Sequence, residues 1–236
     1  MKRLHSVAQP SPLPRLAYER LCDSIFEGTL KPGELLNEMT LARELGISRT
    51  PLREALIELS VQGLIKILPR KGIQIKYFTR EDVEHVFELR KIIELAIIEK
   101  VANCPNRAAD YHALENILEE QRGMFRNQDY IAFLRADNLF HMMLCESAGN
   151  PRIVAVIKDL WGIIRVMGLQ GLKQPTRWKQ ILDEHKRIIT EVKRKHGRNA
   201  RSAMEFHLDR SKEGILKRLE ASKQASDEKD FVFGDH

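Results

Sequence analysis

The chain of 236 residues has few of the features that mark secreted, disulfide-stabilised or membrane-spanning proteins. Its three cysteines are odd in number and have no C-x-x-C spacing, which favours reduced thiols in a cytoplasm over a disulfide framework. No apolar run is long enough to span a bilayer, and the first residues lack the continuous apolar segment of a secretory signal. We therefore expect a cytoplasmic protein without a membrane partner.

Two metalloenzyme motifs are also missing. There is no His-Glu-x-x-His motif, and no Glu-x-x-His pair of the kind a di-iron helical bundle requires. No alternating strand pattern, internal repeat or low-complexity tract follows Tyr77. These absences weigh against a metalloprotease, a di-iron enzyme and a repeat protein.

The composition suits a protein of two domains with hydrophobic cores. Hydrophobic residues make up 43% of the chain and charged residues 31%. The formal net charge is +6, and residues 1–78 supply +4 of it, with twelve Lys or Arg against eight Asp or Glu. An excess of positive charge in one third of the chain favours a polyanion partner there.

The segment 46–56 has the pattern of a helix-turn-helix. Gly46 follows an amphipathic run, Ser48 can cap a new helix, and apolar residues then recur at helical spacing. Arg49, Thr50 and Arg53 are left on the exposed first turn, where a recognition helix meets the major groove. A capped surface helix with solvated arginines fits the same residues.

A β-hairpin with a basic tip is predicted after this helix. Residues 64–68 and 73–77 read as strands, and the turn between them contains Arg70, Lys71 and Gly72. Such a hairpin is a wing if its basic tip meets phosphates or the minor groove, and a structural hairpin if those charges are only solvated. Residues 1–14, with three prolines, are expected to form a flexible arm.

Residues 15–77 resemble the winged helix-turn-helix of GntR-type transcription regulators. The likeness rests on Gly28-x-Leu30-x-Pro32-Gly33, Leu41-Ala42, Gly46-x-Ser48-Arg49-Thr50-Pro51-x-Arg53-Glu54-Ala55-Leu56 and Gly63-Leu64-Ile65. It implies that Ser48, Arg49, Thr50 and Arg53 contact double-stranded operator DNA and that Gly72 lies in the wing. Met39 departs from the arginine that some members have there, which implies a different operator.

The remainder of the chain is predicted to be an all-α helical bundle. Thr79 and Asp82 resemble a capping box, and Asp129 can cap a later helix. Helices are expected over about 79–103, 107–126, 130–147, 152–168, 175–195 and 200–220. The overall expectation is a mainly α protein, with a winged helix at 15–77, a helical domain at 79–222 and a disordered tail at 223–236.

Four residues in the bundle form a candidate metal site. Asp137 and His141 are four apart and leave one face of a helix, while His185 and His207 lie beside apolar residues of later helices. Three imidazoles and one carboxylate suit a divalent transition metal, zinc or nickel, better than magnesium or calcium. Four unrelated polar residues, each solvated or hydrogen-bonded, would give the same pattern.

The bundle resembles the FCD effector domain that many GntR-type regulators carry. The likeness rests on Asp137-x-x-Phe140-His141-x-x-Leu144, Gly149-Asn150-Pro151, Glu184-His185 and His207-Leu208. It implies a metal at Asp137, His141, His185 and His207, and a small organic acid effector that completes the coordination. Arg90 matches an arginine that can face the effector cavity; a surface salt bridge with Glu94 is the alternative.

These observations predict a ligand-responsive transcription regulator, not an enzyme. Helix-turn-helix proteins read two half-sites as dimers, so we expect a homodimer on a palindromic operator. The alternative is a metalloenzyme with an accessory basic domain, since a metal with an open position can polarise a carbonyl or water. No general base accompanies the four candidate ligands in any recognisable motif.

Overall fold

The computed structural model describes residues 12–103, 111–171 and 175–232, and the chain divides into two compact units, Met1–Tyr77 and Phe78–His236. The described residues contain nine α-helices and three β-strands. The predicted fold class is confirmed: a winged helix-turn-helix is followed by an all-helical bundle. None of the described helices has both the length and the apolar character needed to cross a membrane.

From residue 12 onward, the first unit combines three helices with a small antiparallel sheet. The strands lie in the order β1-β3-β2, with Leu35 opposite Gln74 and Ile65 opposite Ile75. The elements are α1 (Pro12–Phe26), β1 (Leu35–Leu36), α2 (Glu38–Leu45), α3 (Arg49–Val61), β2 (Ile65–Leu68) and β3 (Gly72–Ile75).

The turn between α2 and α3 is fixed at both ends. Asn37 Oδ1 accepts hydrogen bonds from the backbone N–H groups of Met39 and Thr40, so Asn37 caps α2. Gly46 ends that helix in the left-handed conformation, at φ 66°. The two helices of the predicted helix-turn-helix are therefore separated by a short, well-defined turn.

Ser48 occupies the cap position of α3, but the prediction that its side chain caps the helix is wrong. Its backbone is extended and its side chain makes no capping hydrogen bond. Pro51 is the third residue of the helix, where a capping serine would normally find an N–H donor. Because proline has no N–H, the Ser48 hydroxyl stays exposed on the surface.

The start of α1 also differs from the prediction. The helix begins at Pro12, so the expected arm cannot extend to residue 14, and residues 1–11 lie outside the described residues. Prolines are tolerated in the first helical turn because those N–H groups have no partner within the helix. The buried face of α3, formed by Leu52, Ala55, Leu56 and Leu59 as predicted, packs against α1.

The basic turn of the hairpin is tighter than the sequence indicates. Arg70 has a positive φ of 64°, and Gly72, at φ 113°, is the first residue of β3 rather than part of the turn. A Cβ atom built on Gly72 would lie 2.3 Å from the carbonyl oxygen of Leu36 in β1. The close approach that requires glycine is therefore made to the neighbouring strand.

The described residues of the second unit form six helices. Thr79 and Asp82 form the predicted capping box through reciprocal side-chain bonds, and Asp129 accepts from the backbone N–H of Ala132. The helices are α4 (Arg80–Asn103), α5 (Tyr111–Arg126), α6 (Tyr130–Ser147), α7 (Pro151–Gly171), α8 (Pro175–Lys193) and α9 (Gly197–Val232). Helix α4 packs against α6, α7, α8 and α9, which places it at the centre of the bundle.

The last helix is longer than predicted at both ends. It begins at Gly197, within an expected turn, because the chain already reverses at Lys195, which has a φ of 60°. It continues to Val232, so a disordered tail starting at residue 223 is wrong; residues 233–236 lie outside the described residues. The stretch 221–230 contains good helix formers and neither glycine nor proline, so nothing in it ends the helix.

Gly72 provides a test of the sheet. We expect Gly72→Ala to destabilise the winged helix by about 2 kcal/mol or more, because the new methyl group meets a backbone oxygen at a strained φ. The measurement is hydrogen exchange of peptides that cover β2 and β3 in the full chain. Gly63→Ala is the control: its φ is also positive, but its Cβ meets nothing within 4 Å. Equal protection in both variants would contradict the packing described for Gly72.

Candidate metal centre

Three helices of the bundle bring the four candidate ligands together. Asp137 and His141 come from α6, His185 from α8 and His207 from α9, and all four are buried. One ligand atom from each residue lies within 4.8 Å of the ligand atoms of the others. The spacing of four on α6 gives two ligands from one helix face, and packing of α8 and α9 supplies the rest.

Each of the three histidines donates a hydrogen bond from Nδ1 to an oxygen outside the cluster. His141 Nδ1 lies 2.6 Å from Glu94 Oε2, and His207 Nδ1 lies 2.7 Å from Glu184 Oε2. His185 Nδ1 lies 2.9 Å from Gln121 Oε1. These oxygens act as acceptors, so Nδ1 carries the proton and Nε2 carries the lone pair in a neutral ring.

The Nε2 atoms face the centre of the cluster. Those of His141 and His207 are 3.1 Å apart, and His185 Nε2 is 3.4 Å from Asp137 Oδ1. Neither His185 Nε2 nor Asp137 Oδ1 has a hydrogen-bond partner among the described residues, although both atoms are buried. Three lone pairs and a carboxylate that converge in this way fit a divalent cation, and outer oxygens that orient histidine ligands are typical of metal sites.

Burial shapes the protonation of the cluster. It lowers the pKa of His141 and His207, and it lowers that of His185 well below the usual value, with the ring of His207 adding to the effect. Burial also raises the pKa of Asp137. The imidazoles are therefore favoured in the neutral form that a metal ligand requires.

An arginine supports each of the two glutamates. Burial disfavours the Glu94 carboxylate, but Arg90, 2.7 Å away, and His141 outweigh burial and lower its pKa to about 2. Burial likewise opposes ionisation of Glu184, yet hydrogen bonds from His207 and Arg177 lower its pKa. Arg177 binds Glu184 with both Nη atoms, at 2.5 and 2.8 Å. Both carboxylates are thus held ionised behind their histidines.

Arg90 and Arg177 also line a cavity beside the cluster. Its volume is about 40 Å³, and its wall includes Asp137. The sequence left two roles open for Arg90, a cavity-facing arginine or a surface salt bridge with Glu94. The structure contains elements of both, because Arg90 lines the cavity and also pairs with Glu94. The pair is buried and not on the helix surface. Other lining residues include Phe87, Leu134, Asn138, Ile181, Ser211 and Gly214.

Gln121 and Arg177 did not stand out in the sequence. Gln121 lies 64 residues before the histidine that it supports, and no motif connects the two. Arg177 lies seven residues before Glu184, which places both on one face of α8, but this spacing is common among surface ion pairs. Cys145 is a buried thiol whose pKa burial raises to about 12, as expected of a core residue.

The predicted DNA-contacting residues form a separate, exposed group on the first unit. Ser48, Arg49, Thr50 and Arg53 lie at the start of α3, and all four are exposed. Glu38 Oε2 lies 2.8 Å from Arg53 Nε and 3.7 Å from the guanidinium of Arg49. Arg70 and Lys71 are exposed in the turn between β2 and β3.

A winged helix-turn-helix joined to a helical bundle with a buried Asp and His cluster is typical of a DNA-binding transcription regulator. Comparison with protein families agrees with this class. Residues 15–75 match the model of the bacterial regulatory proteins of the gntR family, and residues 85–210 match that of the FCD domain. The chain belongs to the GntR family of transcription regulators and carries an FCD domain.

Two bacterial relatives show how far the similarity extends. The HTH-type transcriptional regulator YdhC of Bacillus subtilis is 30% identical over 217 residues, which cover 92% of this chain and 96% of the relative. The gluconate operon transcriptional repressor of Bacillus licheniformis is 28% identical over 178 residues, or 72% of each chain. The family and the names of these relatives indicate a regulator and not an enzyme, as predicted.

Solved structures share the fold at low sequence identity. McbR/YncC of E. coli superposes with a TM-score of 0.76 at 19% identity, over 89% of this chain and all of that one. The metal-free FCD domain of TM0439 matches with a TM-score of 0.54 at 17% identity, over 61% of this chain and 99% of that one. FCD domains are known to bind metal, and the buried Asp and His cluster could hold one.

Proposed function

We propose that this regulator binds a palindromic operator as a homodimer and that a small carboxylate effector at a metal site changes its affinity for DNA. The convergence of three histidine Nε2 atoms and one carboxylate, with each Nδ1 turned outward, is the observation that carries the proposal. His185 Nε2 and Asp137 Oδ1 are buried without a hydrogen-bond partner among the described residues, which is unusual in a polar cluster that only supports a bundle.

The DNA contacts are proposed from the exposed face of the winged helix. Arg49 and Arg53 lie one turn apart at the N-terminal end of α3, where a recognition helix contacts base edges. Ser48 and Thr50 would bind phosphates beside them, and Arg70, Lys71 and the Gly72 backbone would meet the flanking groove or phosphates. Glu38 holds Arg53 in a defined position before DNA arrives.

A homodimer is proposed from the geometry of DNA reading and from an exposed apolar face. One helix-turn-helix reads one half-site, so a palindrome requires two chains. On α4, Leu89 and Ile92 are three residues apart and 43% and 64% exposed. Apolar side chains exposed side by side on a central helix of the bundle fit a contact with a second copy.

The proposed metal is a divalent transition ion, with zinc or nickel as the best match. Asp137, His141, His185 and His207 would hold it, since nitrogen-rich ligand sets favour these ions over magnesium and calcium. When bound, the ion would supply a Lewis-acidic centre that keeps a formal charge of about +1 after one carboxylate ligand is counted. That residual charge, in a buried site, favours an anionic ligand.

The cavity beside the cluster is the proposed effector site. Its wall contains Asp137, so a ligand in the cavity would lie against the metal ligands, and Arg90 is positioned on the same wall. Arginine commonly binds carboxylates in a bidentate geometry, so Arg90 would favour an effector that carries a carboxylate. The effector can shift DNA binding only by its differential affinity for two conformations of the protein, typically ~1–3 kcal/mol.

The first prediction concerns DNA. We expect Arg49→Ala and Arg53→Ala each to weaken binding by ~1–3 kcal/mol, because each removes a proposed contact to a base edge. The measurement is a mobility-shift titration on a duplex that the wild-type protein selects from random sequence, with folding checked by circular dichroism. Arg187→Ala, at an exposed position of α8, is the control. Wild-type affinity in both α3 variants would remove the recognition helix from the interface.

The second prediction concerns the metal. Protein purified without a histidine tag should contain one divalent transition ion per chain by elemental analysis. His185→Ala should lose most of it, because the ring supplies one of four converging ligands. His85→Ala, on an exposed histidine of α4, should retain it. Sub-stoichiometric metal that does not respond to His185→Ala would show that the four residues are ordinary polar residues of the bundle.

The third prediction concerns the effector cavity. Gly214 lies on the cavity wall within α9, and a Cβ atom built on it meets nothing within 4 Å. Gly214→Ala should therefore stabilise the helix, by ~1 kcal/mol, and leave most of the cavity open. Gly214→Leu should fill the cavity and abolish stabilisation by organic acids in a thermal-shift screen, with metal content unchanged.

The screen is repeated after chelation of the metal. Acids that stabilise the metal-free protein equally well would show that the metal is structural. Acids that stabilise Gly214→Leu as well as they stabilise the wild type would place the effector outside this cavity.

A further inference from the structure

The cavity has a second group of hydrogen-bond donors besides Arg90. Arg177 of α8, Ser211 of α9 and Asn138 of α6 all line it. Arg177 Nη2 donates to Ser211 Oγ at 3.0 Å, which fixes the two side chains relative to each other across two helices. The Ser211 hydroxyl accepts this bond, so its own proton is available to an acceptor in the cavity.

Asn138 contributes a buried donor with no partner. Its Nδ2 atom is buried and makes no hydrogen bond among the described residues. Because an unsatisfied buried N–H costs ~1–3 kcal/mol, a site that leaves one on a cavity wall is suited to a ligand that accepts from it. Asn138 and the metal-ligand candidate Asp137 both line this cavity.

Arg177 keeps donor capacity as well. Its described hydrogen bonds use only the two Nη atoms, which bind Glu184, Ser211 and, at 3.4 Å, Gln180. A guanidinium has five N–H donors, so the Nε–H is left for another acceptor. Arg177, Arg90 and Asp137 all line the same cavity, so the two guanidinium groups and this carboxylate face one enclosed space.

We propose that Arg177, Ser211 and Asn138 form a second anion subsite in the effector cavity, so that the effector is a short-chain acid with two carboxylates. This inference rests on the proposed effector cavity. One carboxylate lies towards Arg90 and the metal cluster, and the other accepts hydrogen bonds from the second subsite. Phe87, Leu134 and Ile181 provide apolar wall for the carbon chain between them.

The second subsite is connected to the metal cluster through hydrogen bonds. Arg177 holds Glu184 with two bonds, and Glu184 accepts from His207 Nδ1 at 2.7 Å. Arg90 likewise donates a hydrogen bond to Glu94, and Glu94 accepts another from His141 Nδ1. A dicarboxylate that binds both arginines therefore contacts the outer end of two chains that each orient a histidine.

The test compares matched acids on protein loaded with one equivalent of zinc, by isothermal titration calorimetry. Succinate should bind at least ten-fold more tightly than butyrate, which has the same number of carbons and one carboxylate. Ser211→Ala and Asn138→Leu should each weaken succinate binding about ten-fold, because each removes a hydrogen bond to a charged group. Neither variant should change butyrate binding or zinc content, since neither side chain is a metal ligand or a partner of Glu184.

Arg177→Lys keeps the positive charge but loses the paired geometry, and it should also reduce the preference for succinate. Arg187→Lys, at an exposed position on the same helix, is its control. Equal affinities of wild-type protein for succinate and butyrate, or full succinate affinity in both Ser211→Ala and Asn138→Leu, would overturn the second subsite. The proposed metal-linked effector would then still stand if butyrate binding requires zinc.

The same titrations also reveal a failure of the metal-linked effector while the second subsite stands. A preference for succinate that depends on Ser211 and Asn138 but persists after zinc is removed supports the second subsite and overturns the metal-linked part of the proposed function. Failure of zinc-loaded wild-type protein to bind either acid overturns both.

Discussion

The bundle buries three imidazoles and several charged groups in one place, and its stability depends on hydrogen bonds and ion pairs that offset the cost of burying them. A buried polar group costs free energy unless it is hydrogen-bonded, and a buried charge costs more unless it is paired. The outer side of the cluster meets this requirement, because every Nδ1 has an oxygen acceptor and both glutamates have an arginine. The inner side does not, since His185 Nε2 and Asp137 Oδ1 have no hydrogen bond among the described residues. That asymmetry favours the proposed metal site over a buried polar network that only supports the bundle.

The hydrogen bonds that satisfy the buried histidines also connect the helices to one another. The Glu94–His141 bond joins α4 to α6, and the Glu184–His207 bond joins α8 to α9. Charge-assisted hydrogen bonds in a low-dielectric interior are strong and directional. These two bonds therefore restrict how α4 and α6, and α8 and α9, can rotate relative to each other. A ligand that changes the charge at the centre of the Asp and His cluster would affect both of these hydrogen bonds. This is a physical route by which a small molecule can bias two packings of a bundle, since coupling requires an element with two arrangements.

Much of this could be predicted from sequence, because it rests on local rules. The apolar spacing of α3, the Asn37 cap and the Thr79 capping box depend only on neighbouring residues. The four candidate ligands could be proposed because Asp137 and His141 share a helix face and His185 and His207 lie beside apolar residues of later helices, and the family resemblance supports all four. Gln121 and Arg177 could not be found, because their roles depend on packing between helices distant in sequence. The Arg90–Glu94 pair follows from its spacing of four, but its burial follows only from the position of α4 inside the bundle.

The arginines of α3, the proposed recognition helix, are held by weaker interactions than the buried arginines of the bundle. Arg49 and Arg53 are each 57% exposed, and they share Glu38 as an ionic partner. Exposed ion pairs contribute only ~0–1 kcal/mol, so the proposed contacts of these arginines with DNA would replace the Glu38 pairs at little cost. Glu38 nevertheless restricts the rotamers of both side chains before binding, which reduces the entropy lost when the complex forms. The buried arginines of the bundle are held by strong ion pairs, whereas those of α3 are held by weak ion pairs that the proposed DNA contacts would replace.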